Sequence, residues 1–146
     1  MRQKKITVAI DKESELNLII RDYKLKPSYQ VNNHIPEFTI GLFVNGTLLQ
    51  NEAMLDLEDE EVYKMATTKF ADQIRKQVKG VIDHAKSEGI DPYGLGWFVY
   101  KTDNILWEKH LAKKWRDILP NLKIHIDVNA EITRVNNKGI KIREAK

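Results

Sequence analysis

The histidines are the first side chains to consider, because imidazole binds metals and transfers protons near neutral pH. None of the four lies in an i, i+4 pair, the spacing that places two imidazoles on one helix face; they are His34, His84, His110 and His125. Only His125 has a carboxylate two residues away, Asp127, on the same side of a predicted strand. Such a surface pair is more often a solvated contact than a ligand set, so we predict no metal site.

Nucleophilic and carboxylate catalysis have no support in the sequence either. There is no cysteine, which excludes disulfides, thiolate zinc sites, iron–sulfur clusters and a cysteine nucleophile. Ser14, Ser28 and Ser87 lie in no nucleophile-elbow pattern. The carboxylates of residues 58–61 are consecutive, so on a helix they point in different directions and do not converge on a substrate. We therefore expect a protein that is not an enzyme and binds no cofactor.

Gly94 and Gly96 are the residues most typical of phosphate binding. A dinucleotide fingerprint requires a third glycine and a helix that opens directly from the loop. Val99 takes the third position, and residues 97–100 are predicted to be extended, so the fingerprint is incomplete. A tight turn beneath bulky neighbours explains the two glycines better.

Basic residues close to tryptophans indicate a further class, nucleic-acid binding. The cations of a predicted second helix are Lys109, Lys113, Lys114 and Arg116, and those of the C-terminal tail are Arg134, Lys138, Lys141, Arg143 and Lys146. The net charge is only +3, which does not by itself imply a nucleic-acid partner. Trp107 and Trp115 fall on the apolar side of that helix, where burial is the default, so nucleic-acid binding is kept as the alternative function.

The first fifty residues are predicted to form strands, because apolar and polar residues alternate there. The predicted strands span residues 6–10, 16–20, 38–44 and 47–49. An irregular polar stretch is expected between Pro27 and Pro36. Asn45 and Gly46 are predicted to form a type I′ hairpin turn, since both residues tolerate a positive φ.

A helical period replaces the alternation after residue 56, and it predicts a long helix over residues 57–87. Asp56 is the predicted N-cap, Gly89 the C′ residue, and Pro92 blocks continuation. The apolar stripe consists of Val62, Met65, Ala66, Phe70, Ile74, Val78, Val81 and Ile82.

A second, shorter helix is predicted to begin at Asp103 or Asn104 and to end at Pro120. Its apolar face carries Trp107, Leu111, Trp115 and Ile118. A long strand over residues 123–132 follows, and Ile140 and Ile142 are predicted to begin a short final strand after a turn at residues 136–139. The order of these elements, strands followed by two helices and a further strand, predicts an α+β fold. We expect a mostly antiparallel sheet with one long and one shorter helix packed on one face.

Size and composition fit one domain over residues 1–146. Apolar residues make up 42% of the sequence and charged residues 31%, which argues against both a disordered tail and a membrane span. The basic N-terminus is followed by too short an apolar stretch for a secretory signal. As written, the chain is expected to be soluble, although it fits equally well as one piece of a longer exported protein.

The C-terminal half resembles a known family in its order of motifs. The run from Asp91 through Gly94 and Gly96 precedes two tryptophans eight residues apart, Trp107 and Trp115. Leu119 and Pro120, the long strand and a late glycine, Gly139, follow. This pattern resembles the C-terminal domain of the Ger(x)C family, the C-subunit lipoproteins of nutrient germinant receptors in endospore-forming bacteria.

The resemblance implies a non-enzymatic interaction domain that acts in spore germination with receptor A and B subunits. It implies the outer face of the spore inner membrane for the full-length family protein, through a lipid anchor absent from this chain, and no nucleic acid. The family-motif residues, Asp91, Gly94, Gly96, Trp107 and Trp115, are expected to be structural. We expect the glycines to turn the chain under the helix, Asp91 to bind turn amides, and the indoles to fill the gap between helix and sheet.

Overall fold

The computed structural model describes residues 4–51 and 55–134 and contains a sheet and several helices. Its strands are β1 (Lys4–Ala9), β2 (Glu15–Asn32), β3 (Ile35–Asn51) and β4 (Ile124–Arg134), and its α-helices are α1 (Glu60–Ser87), α2 (Leu95–Thr102), α3 (Asn104–Leu106) and α4 (Trp115–Ile118). 3₁₀ turns lie at Pro92–Gly94 and Leu119–Asn121, and a π-helical turn lies at Trp107–Leu111. The strand order is β1-β2-β3-β4, and the predicted α+β class is confirmed.

The pairing of β1 with β2 follows the alternation of apolar residues. The two strands are antiparallel, with Ile6 opposite Leu18 and Val8 opposite Leu16. All four of these side chains are buried. The opposite face of the pair is mostly polar, with Thr7 opposite Asn17, and none of its side chains is buried. The hydrophobic pattern therefore fixes the register, since a slip of one residue would expose all four.

The hairpin between β2 and β3 turns at Asn33 and His34, and the predicted turn at Asn45 and Gly46 is wrong. Asn33 and His34 have φ of 51° and 66°, the positive values that a type I′ turn requires at both central residues. Gly46 instead lies inside β3, where a Cβ would come within 3.1 Å of the Phe70 ring. Close packing, not a turn, accounts for this glycine.

The stretch between the two prolines is also extended, contrary to the predicted irregular structure. β2 continues through Pro27, although proline lacks a backbone N–H. β1 pairs only with residues 15–20 of β2, so Pro27 lies beyond that pairing and a missing donor on that side breaks no bond. Pro36 is the second residue of β3, close to the start of a strand, where proline is tolerated.

β4 runs in the same direction as β3. The Phe38 N–H donates to the Lys123 carbonyl at 2.9 Å, and Asn45 Nδ2 donates to Thr133 at 3.1 Å. The residue numbers therefore increase in the same direction along β3 and β4, so these two strands are parallel. A parallel pair needs a long crossover connection, which the helical segment between β3 and β4 provides.

Helix α1 has a defined cap at each end. The Asp59 carboxylate accepts from the backbone N–H groups of Glu61 and Val62 at 2.9 and 3.3 Å, so Asp59 is the N-cap and the prediction of Asp56 is wrong. Asp56 instead accepts from Glu58 in the preceding turn. At the other end Gly89 has φ of 73°, and Ile90 N–H donates to the Ala85 carbonyl at 2.8 Å. This is a Schellman motif with Gly89 at C′, as predicted.

The segment predicted as one second helix is broken into short pieces. Residues 97–100, predicted to be extended, lie in α2, so helix begins at Leu95 and not at residue 103 or 104. Asp103 then interrupts it with φ of −149°, and its side chain accepts from the Leu106 N–H and starts the next helical piece. The π-helical turn and α4 follow before Pro120.

The chain divides into two compact units, which we describe separately. The first comprises the described residues within 1–24, 42–74 and 128–146, and its buried apolar side chains are Ile6, Val8, Leu16, Leu18, Leu42, Val44, Leu57, Ala66, Phe70, Ile74 and Ile132. The second comprises residues 25–41 and 75–127. Its main cluster is Phe38, Leu95, Val99, Leu106, Leu111, Leu119 and Leu122.

The predicted turn at residues 136–139 and the predicted strand at Ile140 and Ile142 lie outside the described residues, as does most of the basic tail. Among residues 4–51 and 55–134, no helix combines the length and the apolar character needed to cross a bilayer.

Candidate functional site

The carboxylate of Asp91 holds the start of α2. Its Oδ1 accepts a hydrogen bond from the Leu95 N–H at 2.9 Å, and its Oδ2 accepts one from the Gly96 N–H at 2.8 Å. Both donors belong to the first turn of the helix, where N–H groups have no intrahelical acceptor and the helix dipole favours negative charge. The carboxylate therefore caps α2 in place of the N-cap residue, Gly94, which has no side chain to do so.

Gly94 allows the backbone to reverse ahead of α2. Tyr93 and Gly94 have φ of 57° and 63°, in the left-handed region that favours glycine. Nothing lies within 4 Å of the position that a Gly94 Cβ would take, so the need for glycine there is conformational and not spatial. This reversal brings the first N–H groups of α2 back to Asp91.

The two indoles of the family motif pack against each other beside Asp91. Their ring centroids are 5.2 Å apart at an interplanar angle of 60°, an edge-to-face arrangement. Trp115 Nε1 donates to Asp91 Oδ2 at 3.3 Å, and the Trp115 ring meets Phe38 edge-on at 6.4 Å. Both indoles are half-buried against the main cluster of the second unit.

Gly96 packs directly against these groups. A Cβ at Gly96 would lie 3.0 Å from Asp91 Oδ2, from the Trp107 ring and from Trp115 Nε1. That is closer than ordinary van der Waals contact for all three groups. The structure therefore brings together four of the five motif residues, Asp91, Gly96, Trp107 and Trp115, while Gly94 lies in the turn that positions them.

This cluster has little capacity for chemistry of its own. The Asp91 oxygens accept from three donors in the cluster, so the carboxylate is already partnered by the fold. Two of these donors are the amides that would otherwise bind phosphate at a helix N-terminus. The fingerprint still lacks its third glycine, because Val99 takes that position. The prediction that no helix opens from the glycine loop is wrong, since α2 begins at Leu95, but the Asp91 carboxylate accepts from the first amides of that helix.

Within residues 4–51 and 55–134, the remaining predicted candidates do not come together in one site. His125 Nε2 lies 2.7 Å from Glu37 Oε2 on the solvent side of the strands, and this pair is exposed. No group of three or more potential metal-ligating side chains occurs among the residues that the structure describes. Lys109, Lys113, Lys114 and Arg116 are exposed, but Trp107 and Trp115 pack internally and do not form a free platform for stacking bases.

A stacked histidine pair escaped the sequence analysis. The rings of His34 and His110 lie 3.7 Å apart at 10°, although the residues are far apart in sequence. Desolvation of the ring first, and then the charges of His34, Lys109 and Lys114, hold the pKa of His110 below its ordinary value of 6.5. No spacing rule connects a hairpin turn with a π-helical turn, so no signal in the sequence could have found this pair.

An exposed aromatic patch on α2 was also missed, because residues 97–100 were expected to be extended. Trp97 and Tyr100 stack at 5.3 Å and 22°, and Lys101 Nζ lies 5.7 Å from the Trp97 ring centroid. We call Trp97, Tyr100 and Lys101 the Trp97 patch. The period of the helix, had it been recognised, would have placed Trp97, Tyr100 and Lys101 away from buried Leu95 and Val99.

Comparison with known proteins agrees with this architecture. A family model described as Spore germination B3/GerAC like, C-terminal, matches residues 1–136. The crystal structure of the GerBC protein resembles this chain with a TM-score of 0.74 at 19% sequence identity, over 90% of this chain. At that identity the likeness shows a shared fold. The chain spans 41% of the GerBC chain. No curated protein matches the sequence.

Proposed function

The chain belongs to the spore germination B3/GerAC-like family, whose C-terminal model it matches over residues 1–136, and from this premise we propose that it is a non-enzymatic interaction domain of a nutrient germinant receptor C subunit. In this role the domain acts in spore germination by contacting other receptor components. Its fold presents exposed surfaces to them.

The geometry of the motif cluster carries this proposal. The Asp91 oxygens accept from the Leu95 and Gly96 amides at the start of α2 and from the Trp115 N–H. A catalytic carboxylate must instead lie within hydrogen-bond reach of its substrate. A carboxylate held by three donors of its own fold supports a role in shaping the domain, with recognition left to the exposed surface.

The proposed partners are the receptor A and B subunits, and the proposed location of the full-length protein is the outer face of the spore inner membrane. Both follow from family membership and are inferences for this chain. The family match and the GerBC fold do not favour the nucleic-acid alternative.

A capture experiment tests the proposal. The tagged 146-residue chain is added to detergent-solubilised spore membranes, and the retained proteins are identified by mass spectrometry. We expect the A and B subunits to be retained by the native chain and lost with Trp115→Ala, which removes an indole from the cluster. Retention of neither subunit by the native, folded chain would overturn the proposal.

A further inference from the structure

The Trp97 patch exposes large apolar side chains on an otherwise well-packed helix. Trp97 is 61% exposed and Tyr100 is 38% exposed, whereas Leu95 and Val99 on the other side of α2 are fully buried. Trp107 and Trp115 are half-buried, so Trp97 is the most exposed of the three indoles. The main cluster of the second unit does not include Trp97 or Tyr100, and adjacent exposed aromatic rings are typical of an interaction surface.

The patch is ordered and carries a cation. The near-parallel stack of Trp97 and Tyr100 and the position of Lys101 over the indole hold the three side chains in one arrangement. Its members have apolar bodies with polar ends: an indole N–H, a phenol and an ammonium. Side chains of this kind stabilise contact with a medium that is apolar on one side and wet on the other.

The chemistry of the patch distinguishes between a protein and a bilayer as its partner. Protein interfaces are enriched in tryptophan, tyrosine and arginine but depleted in lysine. Tryptophan and tyrosine are enriched at the membrane–water interface, and lysine there pairs with anionic headgroups. The charge of the surrounding sequence also favours an anionic bilayer, because residues 95–118 contain five basic residues and three acidic ones. The basic residues are Lys101, Lys109, Lys113, Lys114 and Arg116, and the acidic ones are Asp103, Glu108 and Asp117.

We propose that the Trp97 patch docks on the headgroup region of an anionic phospholipid bilayer. Trp97 enters the interface between headgroups and acyl chains, while Lys101 leaves the indole face to contact lipid phosphate. This surface contact crosses no membrane. It goes beyond the proposed role with receptor subunits and does not rest on it.

Vesicle binding by the purified chain tests this proposal with no other protein present. The chain is mixed with vesicles of phosphatidylcholine alone or of phosphatidylcholine with phosphatidylglycerol, and binding is measured by co-sedimentation. We expect binding to the anionic vesicles that weakens as salt is raised. Lys101→Glu is expected to lower the affinity by about tenfold or more, because a charge attracted to the surface becomes one that is repelled.

Trp97→Ala identifies the group that enters the bilayer. Brominated lipid is expected to quench the fluorescence of the native chain and to quench Trp97→Ala much less, since the remaining indoles pack in the motif cluster. Tyr23→Ala is the matched control, because Tyr23 is also strongly exposed, at 66%, and it is expected to bind as the native chain does. Unfolding midpoints verify that all three variants are folded.

Three outcomes would overturn the proposal: no binding to anionic vesicles, binding unchanged in Trp97→Ala, or quenching by brominated lipid that does not depend on Trp97. If vesicle binding fails while Trp97→Ala abolishes capture of the receptor subunits, the patch is a protein contact. Failure of the capture experiment with vesicle binding intact would count against the proposed function alone.

Discussion

Gly96 is the residue at which the motif cluster leaves least room. Gly96→Ala would place a methyl group 3.0 Å from Asp91 Oδ2 and from both motif indoles. Because these groups are fixed by one another, we expect the free energy of unfolding to fall by about 1–3 kcal/mol, the usual cost of overpacking. Urea unfolding followed by circular dichroism measures the change.

Gly80→Ala is the matched control for this prediction. Gly80 is exposed within α1, and nothing lies within 4 Å of its would-be Cβ. Alanine there is expected to raise the free energy of unfolding by about 0.4–1 kcal/mol, since the unfolded chain loses freedom and no contact is disturbed. If Gly96→Ala also raised the midpoint or left it unchanged, the cluster would not be tightly packed.

Trp115 tests whether an indole of the cluster holds the fold together. Trp115→Ala removes the ring between Phe38 and Trp107 and the donor to Asp91 Oδ2. We expect a loss of about 3–5 kcal/mol in the free energy of unfolding. Trp97→Ala, which removes an exposed indole, is expected to change stability by no more than about 0.5 kcal/mol. An unmoved midpoint in Trp115→Ala would show that this ring is not part of the core.

His110 makes stability depend on pH. Its pKa in the folded chain lies below the ordinary 6.5, so the unfolded chain binds the proton more tightly. The stabilisation is therefore complete above pH 6.5 and is lost as the pH falls through that value towards the lowered pKa of the folded state. We expect His110→Gln to flatten this part of the stability–pH profile, measured by urea unfolding. His84→Gln leaves the stacked pair intact and should keep the slope; a slope unchanged in His110→Gln would contradict the assignment.

At the scale of elements, periodicity predicted most of the regular structure. Alternation located β1 and β4, and the helical period located α1 to within a few residues, because each of these elements buries a repeating apolar face. The prediction of a turn at residues 45–46 failed because the Asn-Gly signal is local. Gly46 instead packs closely against Phe70, which is distant in sequence. Asn33 and His34 form the turn with a histidine in the left-handed region, which the usual turn preferences do not favour.

The region of α2 to α4 shows the other limit of sequence reasoning. The spacing of Trp107, Leu111 and Trp115 suggested one continuous helix, but a π-helical turn at Trp107–Leu111 changes the phase between the two tryptophans. The family resemblance identified the residues of the motif cluster from the sequence. Their mutual geometry could not be identified in this way, because the bonds of Asp91 to Gly96 and Trp115 depend on a chain reversal that the sequence does not specify.

The C-terminal cap of α1 gives a prediction at this scale. Gly89 has φ of 73°, and the Schellman motif needs that conformation to bond the Ile90 N–H to the Ala85 carbonyl. Gly89→Ala is expected to cost about 1–2 kcal/mol, because a Cβ opposes the left-handed conformation. Hydrogen exchange of the Ile90 amide should accelerate, while Gly89→Asn, which tolerates positive φ, should lose less protection. Equal protection in the native chain and Gly89→Ala would contradict the role of the cap.

At the scale of the whole molecule, the distribution of charge separates the proposed function from its alternative. The chain has 24 Lys and Arg against 21 Asp and Glu, and both signs are spread along it. Nucleic-acid binding depends on neutralising several phosphates at once and on rings that are free to stack on bases. Two of the three tryptophans pack in the motif cluster, and the third lies in a patch with a single lysine over its ring.

We therefore expect no measurable affinity for labelled single- or double-stranded oligonucleotides in fluorescence anisotropy, even at low salt, where phosphate contacts are strongest. The double variant Lys113→Ala, Lys114→Ala provides the specificity control, since it removes two of the exposed cations named for the alternative without touching the motif cluster. Binding that falls steeply with added salt and weakens in this variant would contradict the prediction and restore a nucleic-acid role. Anisotropy that stays flat in both proteins, while the same preparation binds anionic vesicles, would assign the exposed cations of this segment to lipid phosphate and not to nucleic-acid phosphate, because only a bilayer also accommodates the apolar side chains of the Trp97 patch.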